Sequence, residues 1–86
     1  MAVYKITFKS SVEKDLRKID KGEVPRIVSA IHRLSENPRP VNSKKLVGSQ
    51  QTYRLRIGEY RIVYIVWDKL AEIEIQLVRH RKDAYR

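Results

Sequence analysis

Six residues in the second half of the chain have the types and spacing to do chemistry: Arg54, Arg56, Arg61, His80, Arg81 and Tyr85. Guanidinium groups stay charged at any relevant pH and grip phosphate oxygens bidentately. A pentacoordinate phosphoryl transition state carries more negative charge than its ground state, so arginines fixed in advance stabilise it preferentially. Histidine and tyrosine add proton transfer, which typically contributes about 10²–10⁴-fold. No carboxylate cluster is spaced to ligate Mg²⁺, so neither a metal nor any other cofactor is expected. The set predicts metal-independent cleavage of a phosphodiester, with a substrate 2′-hydroxyl attacking the adjacent phosphate. DNA lacks that nucleophile, so the expected substrate is RNA. Lys44 and Lys45, read as part of a loop before the site, are placed to bind backbone phosphates.

The chain bounds this reading. It has 86 residues, with 19 Lys and Arg against 10 Asp and Glu, a formal charge of +9. That length predicts one domain, residues 1–86, with one modest core and no separate cofactor module. The charge favours a polyanionic partner. With no cysteine, disulfides, thiolate catalysis and Cys-based metal sites are excluded. No apolar run reaches the roughly 20 residues of a membrane span, and no signal peptide is visible, so a cytoplasmic location is expected.

The elements that must position these residues are legible as periodicities. Tyr4, Ile6 and Phe8 alternate with polar residues in a short strand. Ser10 with Glu13 fits a capping box, and Val12, Leu16 and Ile19 follow at helical spacing towards Gly22. Val24, Ile27, Val28, Ile31 and Leu34 mark a second helix with Pro25 in its first turn. The run Asn37-Pro38-Arg39-Pro40 ends it. Three strands follow: Tyr53/Leu55/Ile57, then residues 60–67, then Ile73/Ile75/Leu77. The expected fold is α+β, in the order β-α-α-β-β-β: a four-stranded antiparallel sheet with a helical hairpin packed on one face.

Register then brings the cations together. Gly58-Glu59 suits a two-residue turn with glycine at its first central position. Ile57 then pairs with Tyr60, and Arg56 sits opposite Arg61. Like charges directly opposite each other destabilise a sheet by about 0.2–1 kcal/mol, which is tolerable when something anionic fills the gap. In the next hairpin, keeping Ile73, Ile75 and Leu77 on the core face puts Gln76 beside Arg61 and brings His80, Arg81 and Tyr85 back to the same end of the open face.

The segment Tyr53-Arg-Leu-Arg-Ile-Gly-Glu-Tyr-Arg-Ile-Val-Tyr64, together with His80-Arg-Lys-Asp-Ala-Tyr85, closely resembles the RelE/ParE toxin superfamily. The resemblance implies a RelE-type ribosome-dependent endoribonuclease that enters the aminoacyl site and cuts mRNA there, arresting translation. It implies Arg61, His80, Arg81 and Tyr85 as catalytic residues and Arg54 and Arg56 as RNA-binding ones. It also implies an acidic, partly disordered antitoxin that blocks the active face and carries the pair to operator DNA. The rivals are a ParE-type inhibitor of DNA gyrase, which acts by binding alone, and a RelE-like binding protein without catalysis.

Overall fold

The computed structural model describes residues 3–82. Along the chain run β1 (Lys5–Phe8), α1 (Val12–Arg17), α2 (Val24–Arg33), β2 (Ser43–Lys45), β3 (Thr52–Ile57), β4 (Tyr60–Trp67) and β5 (Glu72–His80). The strands form one sheet in the order β1-β5-β4-β3-β2. The expected α+β class, two helices and one helix-covered face are all present. The sheet, however, is mixed and has five strands among the described residues. The helical crossover returns β1 to lie parallel to β5, with Ile6 opposite Ile73. The extra strand, β2, takes its hydrogen bonds from the edge of β3.

One face of the sheet meets both helices. Val12 and Ile19 from the first helical segment, and Ile27, Ile31 and Leu34 from the second, pack against Leu55, Ile62, Tyr64, Val66, Ile73, Ile75 and Val78. Val78 takes the core place expected for Leu77. An irregularity between Val63 and Tyr64 sets Tyr64 opposite Ile75 but Val63 opposite Leu77, leaving Gln76 as the extra residue of a β-bulge. Beyond the bulge the faces of β5 are exchanged relative to an unbroken alternation.

Helix α1 departs from its local signals. Its N-cap is Ser11, without a side-chain capping bond, and it ends at Lys18 rather than Gly22. Pro25 does occupy the first turn of α2. The β3–β4 turn forms as expected. Gly58 holds a φ of +56° there, a conformation that favours glycine.

A polar latch closes the open end of the core. Asp68, in the β4–β5 turn, accepts hydrogen bonds from Arg39 Nη2 at 2.6 Å and Tyr4 Oη at 2.7 Å. Arg39 Nε also reaches Tyr53 Oη at 2.9 Å. Arg39, and after it Tyr4, hold the Asp68 carboxyl below the usual carboxylate range. A carboxyl with a depressed folded pKa contributes stability above its unfolded pKa, near 4, and loses it as pH falls through the folded value. Melting curves of the native chain and Asp68→Asn are therefore expected to differ most above about pH 4 and to converge below it. A gap that stays constant down to pH 2 would contradict this account of the latch.

Candidate functional site

The β3–β4 hairpin places Arg56 opposite Arg61, as the turn dictates. On its other side Arg61 faces Arg79 of β5, not Gln76. Directly paired residues of antiparallel strands point to the same face. Arg56, Arg61 and Arg79 thus form a row across three neighbouring strands, on the sheet face turned away from the helices. A second row lies beside it, where Lys44 is paired with Arg54. Arg61, at the centre of the first row, is only 6% exposed, while Arg56 is exposed. Among the described residues, no carboxylate lies within ion-pairing distance of Arg54 or Arg56.

Just past β5 the chain stays against the β3–β4 turn. The Arg81 N–H donates to the Glu59 carbonyl at 2.7 Å, and Arg81 Nη1 lies 3.6 Å from Glu59 Oε2, both side chains well exposed. Arg56, Gly58, Glu59, Tyr60, Arg61 and Arg81 line a cleft of about 310 Å³. A solvated ion pair such as Arg81–Glu59 contributes little to stability, so an incoming anion can displace it at small cost. The cleft offers an anion three guanidinium groups from separate segments.

Three expected placements change. His80 pairs with Tyr60, and their rings meet edge to face at 5.3 Å. Because Tyr60 precedes the core residues Ile62 and Tyr64 by even steps, His80 lies on the helix side of the sheet. The bulge is the cause: it spends one residue and gives Arg79 the place on the open face. His80 Nδ1 also accepts the Lys82 N–H at 3.2 Å, which leaves Nε2 to carry the proton of the neutral ring. Lys45 is opposite Tyr53, on the core-side face at the sheet edge, so only Lys44 of the pair joins the cationic face. Both lysines lie in β2 rather than in a loop. Tyr85 lies outside the described residues.

The comparisons with known proteins bear on this geometry. Residues 6–85 match the family model described as ParE toxin of the type II toxin–antitoxin system parDE. Two relatives are each 32% identical: RelE1 of Methanocaldococcus jannaschii, over 96% of both chains, and toxin RelG of Mycobacterium tuberculosis, over 96% of this chain and 97% of its own. The chain belongs to the RelE/ParE superfamily of type II toxins. Its structure is also similar to the archaeal RelE–RelB complex of Pyrococcus horikoshii OT3, with a TM-score of 0.83 and 28% identity over 94% of this chain and 98% of that one.

In this RelE/ParE toxin, sequence reading gathers Arg54, Arg56, Arg61, His80, Arg81 and Tyr85 at one end of the open face; of these the structure sets Arg56, Arg61 and Arg81 around one cleft, with Arg54 and its partner Lys44 in the neighbouring row. It missed Arg79. The available signal was Leu77-Val78, two adjacent apolar residues that break the alternation of β5. In a half-buried strand such a break marks a bulge.

Proposed function

We propose that this toxin is a ribosome-dependent endoribonuclease that cuts mRNA in the aminoacyl site and so arrests translation. The observation that carries the reading is the Arg56–Arg61 pair, two permanent cations set directly opposite each other on the sheet face turned away from the helices. A fold gains nothing from that repulsion, whereas a phosphodiester seated between the two groups is held by both. The substrate 2′-hydroxyl gives up its proton to water as its oxygen attacks phosphorus, and the bond to the 5′-oxygen breaks. The products are a 2′,3′-cyclic phosphate and a 5′-hydroxyl. Arg61 and Arg56 hold the non-bridging oxygens as charge grows on them, and Arg81 closes over the same cleft. Arg54 and Lys44 bind neighbouring backbone phosphates. Tyr85 is the proposed proton donor to the departing oxygen. His80, on the far side of the sheet, is given no proton at the reacting atoms. No metal takes part in this scheme.

The proposed partner is an antitoxin, acidic because the toxin carries a charge of +9 and folding as it wraps the toxin. The Pyrococcus horikoshii RelE was solved bound to RelB, which supports a partner of that kind. Operator binding by the complex then falls to the antitoxin. The second reading is a ParE-type gyrase inhibitor, favoured by the ParE description of the matching family.

One experiment separates them. Ribosomes programmed with mRNA are incubated with the toxin and probed for strand breaks, beside a gyrase supercoiling assay. The expected result is breaks only in the presence of ribosomes, with supercoiling unaffected. Intact mRNA with inhibited supercoiling would establish the ParE-type reading, and no effect in either assay would leave a binding protein without catalysis.

A further inference from the structure

Arg79 is the residue whose position most needs a reason. A guanidinium already stands opposite Arg61 on β3, and the bulge at Gln76 and Leu77 delivers another on β5. Three like charges in one row are less favourable than two. The fold also supplies a device that makes the third tolerable. Asp15 of α1, whose side chain is 11% exposed, accepts the Val78 N–H at 3.1 Å and sets its other oxygen 3.9 Å from Arg79 Nε. The carboxylate therefore anchors β5 just past the bulge and lends Arg79 a counter-charge, while 48% of the Arg79 side chain stays accessible.

We propose that Arg79 is a substrate-phosphate ligand, gripping the phosphate next to the one cut at Arg61, on the side away from Arg56. This rests on the RNA-cleaving reading above and adds to it a direction. Adjacent strands lie about 4.8 Å apart, so the row from β3 to β5 spans roughly 10 Å perpendicular to the strands. A single phosphate cannot occupy all of it. The nucleic acid runs across the strands from Arg56 past Arg61 to Arg79, with the reacting phosphate in the middle and a neighbour held by each outer arginine. Arg79 is a positioning residue, since it touches a phosphate other than the reacting one.

The test uses a single-stranded RNA oligonucleotide of mixed sequence, so that it does not depend on cleavage. Its binding is measured from low to moderate salt for the native toxin, Arg79→Ala, Arg79→Lys and Arg33→Ala, the last removing a cation from the end of α2, outside the strands of the row. Each phosphate contact in a single-strand complex contributes about 0.7 to the slope of log K against log salt. Arg79→Ala is expected to reduce the slope by about 0.7 and to weaken binding at low salt about tenfold. Arg79→Lys should keep the slope, and Arg33→Ala should leave both unchanged. An unchanged slope for Arg79→Ala, or an equal loss in Arg33→Ala, would overturn the proposal whatever ribosomes do. If Arg79→Ala loses its slope but the native toxin cuts no mRNA on programmed ribosomes, the nuclease reading fails and Arg79 stands as a contact to bound RNA. If the native toxin cuts, Arg79→Ala is expected to raise the toxin concentration for half-maximal cutting while sparing the rate at saturation.

Discussion

Arg61→Ala is expected to lower mRNA cleavage on programmed ribosomes by about 10²–10³-fold, the usual cost of removing one donor aimed at developing transition-state charge. Arg61 is the middle member of the Arg56–Arg61–Arg79 row and lines the cleft that Arg81 also enters. At 6% exposure its guanidinium acts where water screens it least, so charge growing on a phosphate there is worth more than at the rim. Arg61→Lys is expected to fall between the two, because an ammonium keeps the charge but loses the planar fork. Folding should survive in both variants. The Gly58 turn fixes the β3–β4 pairing without it, and the apolar core under the helices does not include it. Thermal melts run beside the cleavage assay make the result decisive. A folded Arg61→Ala that cuts at the native rate, or one that does not fold at all, would remove the basis for placing the reaction here.

The difference between what could and could not be read from the sequence follows from how each register is set. Arg56 and Arg61 are joined by a two-residue turn whose Gly58 holds a φ of +56°, so once the turn is recognised nothing else can shift their pairing. The β4–β5 pairing starts from the four-residue turn 68–71, with Trp67 opposite Glu72, and the bulge then adds a residue part-way along. A turn of two or four residues leaves the same faces of β5, so it is the bulge that exchanges them, which is why the unbroken alternation puts Gln76 beside Arg61 and His80 on the open face. The strand β2 was hidden for another reason. Ser43, Lys44 and Lys45 have no apolar alternation, and they are extended because the β3 edge offers them partners. The parallel docking of β1 depends on where the α1–α2 crossover lands, and no pattern within Lys5–Phe8 encodes that. The superfamily was nevertheless legible, because the two segments that carry the resemblance are the β3–β4 hairpin and the one that begins at His80, whose Arg81 lines the arginine cleft.

The largest effect on stability is expected at Tyr64. Its side chain is fully buried, lies 5.9 Å from the Tyr53 ring in a stacked arrangement and donates its hydroxyl to the Pro38 carbonyl at 2.7 Å. Burial pushes its hydroxyl pKa up, so it remains a neutral donor throughout the neutral range. One residue thus ties the central strand to the Pro-rich segment that leads from α2 to β2. Tyr64→Ala removes the ring, the stack and the tie, at about 3–5 kcal/mol, as for other large aromatic truncations in cores. A chain of this length is stable by roughly 4–13 kcal/mol, so this variant is expected to be largely unfolded at modest urea concentrations. Tyr64→Phe separates the two contributions: it keeps the ring and strands the Pro38 carbonyl, at about 1–3 kcal/mol. The Arg56–Arg61 pairing is fixed by its own turn, so Tyr64→Phe should retain RNA cleavage at low temperature while melting earlier. Urea titrations of the three proteins give the comparison. If Tyr64→Ala lay within 1 kcal/mol of the native chain, the core would not be organised around this ring, and the latch formed by Arg39, Tyr53 and Asp68 would have to hold the Pro38 segment by itself.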